Sequence, residues 1–259
     1  MTTVDAVLGA WRSVHPEVIL AVGLAAALYA WSARARPPAP ARAASFVGGL
    51  AVLLATLNGP LHDLAEGRLF AAHMVQHLAL TLVAPPLLLA GLPPWMADAV
   101  LAPVLRRPAI ARLARALTRP LPALALGAVA LVAWHLPGAH AAILTSRSWH
   151  AVAHLSLMGT AALAWWPILS PSRLLPPLPP AAQLLYLFAF GMPMTVVAAM
   201  ITGAEHVLYP LYDPGALGIG PLEDQRLGGV IMWVPSGIVP LVAFTVVFFR
   251  WAAAEAEDA

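Results

Sequence analysis

The chain has no cysteine and no lysine, and only 10% of its 259 residues carry charge. The missing cysteine excludes disulfides, thiolate ligands and thiol nucleophiles, so any metal must be held by His, Met, carboxylate or backbone oxygen. All 14 basic residues are therefore arginine, and a formal net charge of +2, dispersed along the chain, gives no basic stripe for nucleic acid. Soluble domains carry roughly 25% charged residues. With 61% hydrophobic residues and a mean hydropathy of +0.80, this is the composition of an integral membrane protein.

Seven apolar segments are predicted, at 17–33, 44–61, 69–91, 120–136, 149–169, 181–203 and 228–251. Each approaches the roughly 20 residues a helix needs to cross the hydrocarbon core, and helices satisfy their own backbone where lipid offers no partner. The expected fold is all-α, one bundle of seven transmembrane helices forming a single domain over residues 1–259. Pro85, Pro86, Pro193 and Pro235 should kink the spans that carry them. "LRRPAIARLARALTR" reads either as an amphipathic helix on the membrane or as a charged loop. The first span has a small-x-small site in "YAWSARA", but three arginines follow it and one precedes it, which favours a retained helix over a cleaved signal.

Orientation follows from the arginines. With the N-terminus outside, Arg12, Arg68, Arg147 and Arg226 lie outside and the other ten inside, so the positive-inside rule gives an N-out, C-in chain in a cell membrane. That topology gathers all nine histidines at the outer end. His73 and His77 are four residues apart, as are His150 and His154, so each pair projects from one helix face. Met158 continues the second stripe. His62 and His135 sit at the same level. Packing histidines are the bland reading of one such pair, but two pairs and two further rings at one depth point to a shared site.

Imidazole suits copper, zinc, iron and nickel, and a thioether from Met74, Met158 or Met232 favours Cu(I). Bis-histidine haem is the alternative, since two facing helices each offer a ring. Hydrolytic zinc fits less well, because "HMVQH" lacks the glutamate of HExxH, and no nucleophile elbow, phosphate loop or triad signature is present. The reading is not an enzyme. Asp63 and Asp224 are candidates to orient ligand imidazoles, or else to cap helices. The outer loop over 204–227 is either a lid over the histidines or a partner surface.

"PLHDLAEGRLFAAHMVQHLALTLVAPPLLLAG", "WHLPG", "HAVAHLSLMGTAALAWWPIL", "LYPLY" and "EDQRLGGVIMWVPSGIV", in that order, resemble the seven-helix CtaG family of cytochrome c oxidase assembly factors associated with caa-type oxidases. The likeness runs from the second span onward. It implies a bacterial multi-pass membrane protein that helps make an active haem-copper oxidase by supplying copper to the subunit carrying the buried Cu-B centre. A copper donor on the outer side is a further implied partner. Carried over by position, the motif residues are His62, His73, His77, His135, His150 and His154, with Asp224 and Gln225. His15, His140 and His206 stand outside the motifs.

Overall fold

The computed structural model describes residues 14–258, and the elements among them are helical, with no strand. In chain order they are α1 (Pro16–Ala35), α2 (Pro40–Leu57), α3 (Pro60–Ala65), α4 (Phe70–Gly91), α5 (Pro94–Leu105), α6 (Pro108–Leu117), α7 (Pro120–His135), α8 (Pro137–Thr145), α9 (Arg147–Leu169), α10 (Pro180–Thr202) and α11 (Pro221–Asp258). Nine of these helices begin at a proline, whose fixed φ suits the first helical position and whose missing N–H would have had no partner there. The abundant prolines therefore mark starts more than kinks.

Six helices, α1, α2, α4, α9, α10 and α11, are long and apolar enough to cross a membrane, so the chain is a multi-pass membrane protein. The expected segment at 120–136 forms α7, which at 16 residues and about 1.5 Å per residue is shorter than the roughly 30 Å hydrocarbon core. It follows α6 after a 72° bend. α6 carries Arg112 and Arg115 beside Leu113 and Leu117, so the arginine-rich connection is an amphipathic helix and not an irregular loop.

Contacts at each end fix α4 as the central helix. At one end Asp224 of α11 accepts from the amides of Phe70 (2.7 Å) and Ala71 (3.1 Å), satisfying donors that the first helical turn leaves bare. One turn further along α11, Gly228 faces the Phe70 ring; a Cβ there would lie 2.4 Å from it. At the other end Arg42 donates to the carbonyls of Ala90 and Leu92, and Tyr29 to that of Gly91, placing donors where a helix carries its partial negative charge.

Pro85 and Pro86 do not break α4. Residues Ala79–Val83 form a π turn that carries the helix through them. The Thr81 carbonyl would bond to residue 85 in α register or 86 in π register, and neither proline has an N–H. Trp165 Nε1 of α9 donates to it instead, at 3.0 Å. Pro193 does coincide with a break, since α10 is interrupted at Gly191, whereas α11 runs on through Pro235.

Candidate metal centre

The same proline logic builds the histidine end. α2 stops at Leu57, Gly59 turns the chain at φ +122°, and Pro60 opens α3 without an N–H to give back to the Thr56 carbonyl. Gln76 of α4 fills that vacancy: its Nε2 donates to Thr56 O at 2.6 Å and lies 2.8 Å from His62 Nδ1. An amide nitrogen has two hydrogens and no lone pair to offer, so His62 Nδ1 accepts. This is why Gln76 sits in an apolar helix.

Eight of the nine histidines contact at least one other ring, and the contacts divide them into two groups. The first surrounds a cavity of 650 Å³ lined by His15, His62, Glu66, His150, His154 and Met158, among others. Its ring centroids lie 4.3 Å apart for His150 and His154, 4.4 Å for His15 and His62, 5.4 Å for His62 and His150, and 6.3 Å for His62 and His154. Glu66 Oε1 is 3.0 Å from His62 Nε2 and 3.5 Å from His150 Nε2. The hydrogen bond from His62 holds the Glu66 carboxyl down at about 2, so it is ionised at neutral pH.

The second group is His73, His77, His135 and His140, all buried. His73 meets His140 at 4.8 Å and His77 meets His135 at 4.9 Å. His73 and His135 each commit Nδ1 to a carbonyl, Ala65 O at 3.4 Å and Leu131 O at 2.7 Å, and His140 commits both nitrogens, Nδ1 to Trp134 O at 3.3 Å and Nε2 to the Tyr212 hydroxyl at 2.8 Å. Nε2 of His77 and of His135 is buried with no hydrogen-bond partner.

The two i, i+4 pairs thus share one end of the bundle, but each meets other rings: His73 and His77 those of α8 and α7, His150 and His154 that of His62 in α3. Asp224 acts on the amides that start α4, one turn before His73. Gln225 pins the loop between α10 and α11, accepting from Leu208 N at 2.6 Å and donating to His206 O at 3.2 Å. Asp63 lies in α3, its amide bonded to Gly59 O. Met158 lines the cavity with His150 and His154.

His15, Glu66, His140 and Tyr212 join the site although the motif pattern did not select them. For His140 a signal existed: "HLPGAHAAIL" places proline after His135 and starts a new helix that turns His140 back toward His135. The loop between α10 and α11 covers the second group, with Tyr209 donating to His135 O at 2.7 Å and stacking on Phe70 at 4.5 Å.

A family model described as cytochrome c oxidase caa3 assembly factor matches residues 23–254, which takes in both histidine groups except His15. No curated protein and no solved structure matches the chain.

Proposed function

The chain belongs to the cytochrome c oxidase caa3 assembly factors, and from that premise we propose that it handles copper as cargo, without catalysis, for the Cu-B centre of a haem-copper oxidase. The observation that carries this reading is the pair of orphaned nitrogens, His77 Nε2 and His135 Nε2, on rings 4.9 Å apart inside the bundle. Each buried polar atom without a partner costs about 1–3 kcal/mol, and a soft cation between the two lone pairs removes both costs together. Imidazoles without thiolates bind Cu(I) well enough to hold it and exchange it one ligand at a time. His73 extends the holding site, and His154 with His150 leads to it from the cavity.

The membrane in this reading is a bacterial cell membrane, with α7 making the seventh crossing, α6 lying along the inner surface and the histidine end facing outward. The copper donor then meets the cavity from outside and the oxidase subunit receives the ion at the same face. The ten-to-four arginine distribution supports that orientation. Cysteines introduced singly at Ser148 and Ala116, both exposed, test it: an impermeant thiol reagent applied to intact cells should label position 148. Labelling at 116 alone reverses the orientation.

Deleting the protein should leave an oxidase with its polypeptides and haem but short of copper at Cu-B. A deletion strain whose isolated oxidase holds full copper removes the delivery reading. Anaerobically purified protein should contain copper and show no Soret band; a Soret band would support bis-histidine haem instead.

A further inference from the structure

The end of the bundle away from the histidines carries a charge pattern that neither histidine group uses. Arg106, Arg107, Arg112, Arg115 and Arg119 cluster on and around α6, and all five are exposed. Between Asp98 and Glu205 the sequence has no acidic residue to balance them. Asp98 itself is engaged by the loop between α9 and α10, accepting from Ser172 Oγ and the Arg173 amide. Elsewhere Arg42 and Arg226 donate to carbonyls and Arg147 pairs with Glu17. Among the described residues no ion pair reaches any of the five.

α6 sorts its residues onto two sides. At roughly 100° per residue, Arg112 and Arg115 share one face, and Ile110, Leu113 and Leu117 fall on the opposite one. Leu113 is 58% exposed, and Val100 and Val104 of the adjoining α5 are exposed as well, so protein does not cover this apolar side. The buried Ala111 marks the edge that meets the bundle, where α6 packs chiefly on α5 and α7. Arginines on one side, an uncovered leucine on the other and a 72° bend into apolar α7 are the features of a helix lying in the membrane interface. There the guanidinium groups reach the level of the lipid phosphates, whose oxygens accept their paired N–H donors. The length of α7 agrees: at about 24 Å it is shorter than the roughly 30 Å hydrocarbon core, so with α6 at one headgroup layer its other end, His135, lies below the opposite one.

We propose that α6 binds an anionic phospholipid, with the headgroup phosphate on Arg112 and Arg115 and an acyl chain against Leu113. Arg106, Arg107 and Arg119 add charge at the two ends of the helix. A lipid answers both sides of α6 at once, whereas an acidic protein surface would match the arginines and leave Leu113, Val100 and Val104 uncovered. The site depends neither on the copper reading nor on the orientation of the chain, since both leaflets present phosphate.

The test titrates the full-length protein in a neutral detergent with short-chain phosphatidylglycerol and, separately, phosphatidylcholine, counting bound lipid by native mass spectrometry. An arginine near an anionic surface gains roughly fivefold in affinity, so Arg112→Gln combined with Arg115→Gln should weaken phosphatidylglycerol roughly 25-fold and bring it close to phosphatidylcholine. Arg34→Gln combined with Arg36→Gln removes the same charge from exposed residues elsewhere and should leave phosphatidylglycerol binding nearly unchanged. Glycerol phosphate, a headgroup without acyl chains, should bind wild type more weakly than the lipid; equal binding would overturn a lipid as the ligand. Equal affinity of wild type for the two lipids overturns the site. So does an Arg112/Arg115 variant of unaltered elution volume that keeps wild-type affinity, or an equal loss in the Arg34/Arg36 variant. Unaltered lipid binding in the Arg112/Arg115 variant, with loss of oxidase co-purification, would make α6 a protein-docking face instead.

Discussion

The two histidine groups are built from the same side chain, yet their surroundings give them different chemistry. The cavity group has an ionised carboxylate, an open volume and rings whose outer nitrogens are held by other acceptors. In the buried group the bonds go to carbonyls and a phenol, and two nitrogens have no partner at all. Hard and borderline cations suit the first, soft ones the second. The difference arises because α3 brings Glu66 to the cavity, whereas α8 and the loop between α10 and α11 close over the interior with His140, Tyr209 and Tyr212.

The strongest way to break that contrast is to remove a ligand from the interior. His77→Gln should cost Cu(I) affinity more than the roughly 10- to 100-fold typical of losing an outer-shell partner. His135→Gln should do the same. The double variant should lose less than the sum, because either single change already breaks the pair. Copper titrations of the three variants measure it, and strict additivity would separate the two rings into independent features.

An intermediate effect is expected from Asp224→Asn, which leaves the side chain in place but removes the charge from two hydrogen bonds to the start of α4. Bonds to a charged partner contribute about 1.5–3 kcal/mol each, and part survives in the amide. Thermal unfolding in detergent should show the loss. Because α4 carries His73 and His77, Cu(I) affinity should fall with it.

Tyr212→Phe should have the smallest effect. It removes one hydroxyl from His140 Nε2, about 0.5–1.5 kcal/mol, and leaves the Phe70 and His140 ring contacts in place. Cu(I) should then leave the interior faster in stopped-flow transfer to a chelator. Unchanged release would make the loop between α10 and α11 a cover without influence on the rings.

The spans were legible because length and apolarity are local properties, and six of the seven expected segments form membrane-length helices. The i, i+4 histidines were legible for the same reason: spacing fixes which face a pair shares. Spacing says nothing of what lies opposite that face. His73 and His77 meet His140 and His135, and His150 meets Glu66, only because short helices of six and nine residues reverse the chain between spans. Such helices are too short for a periodic signal and are held by tertiary contacts. The two-hydrogen role of Gln76 was likewise out of reach, since it depends on a carbonyl 20 residues away that a proline leaves bare.

Trp165 and Thr81 are 84 residues apart in sequence. During synthesis α4 therefore reaches the membrane well before α9 exists, carrying at mid-helix a carbonyl that no residue of its own segment can satisfy. In hydrocarbon that state costs several kcal/mol. The growing chain must then keep α4 against water or against the insertion machinery until α9 arrives, so the bundle closes around its central helix late in biogenesis, and the two halves of the histidine end are brought together in the same step.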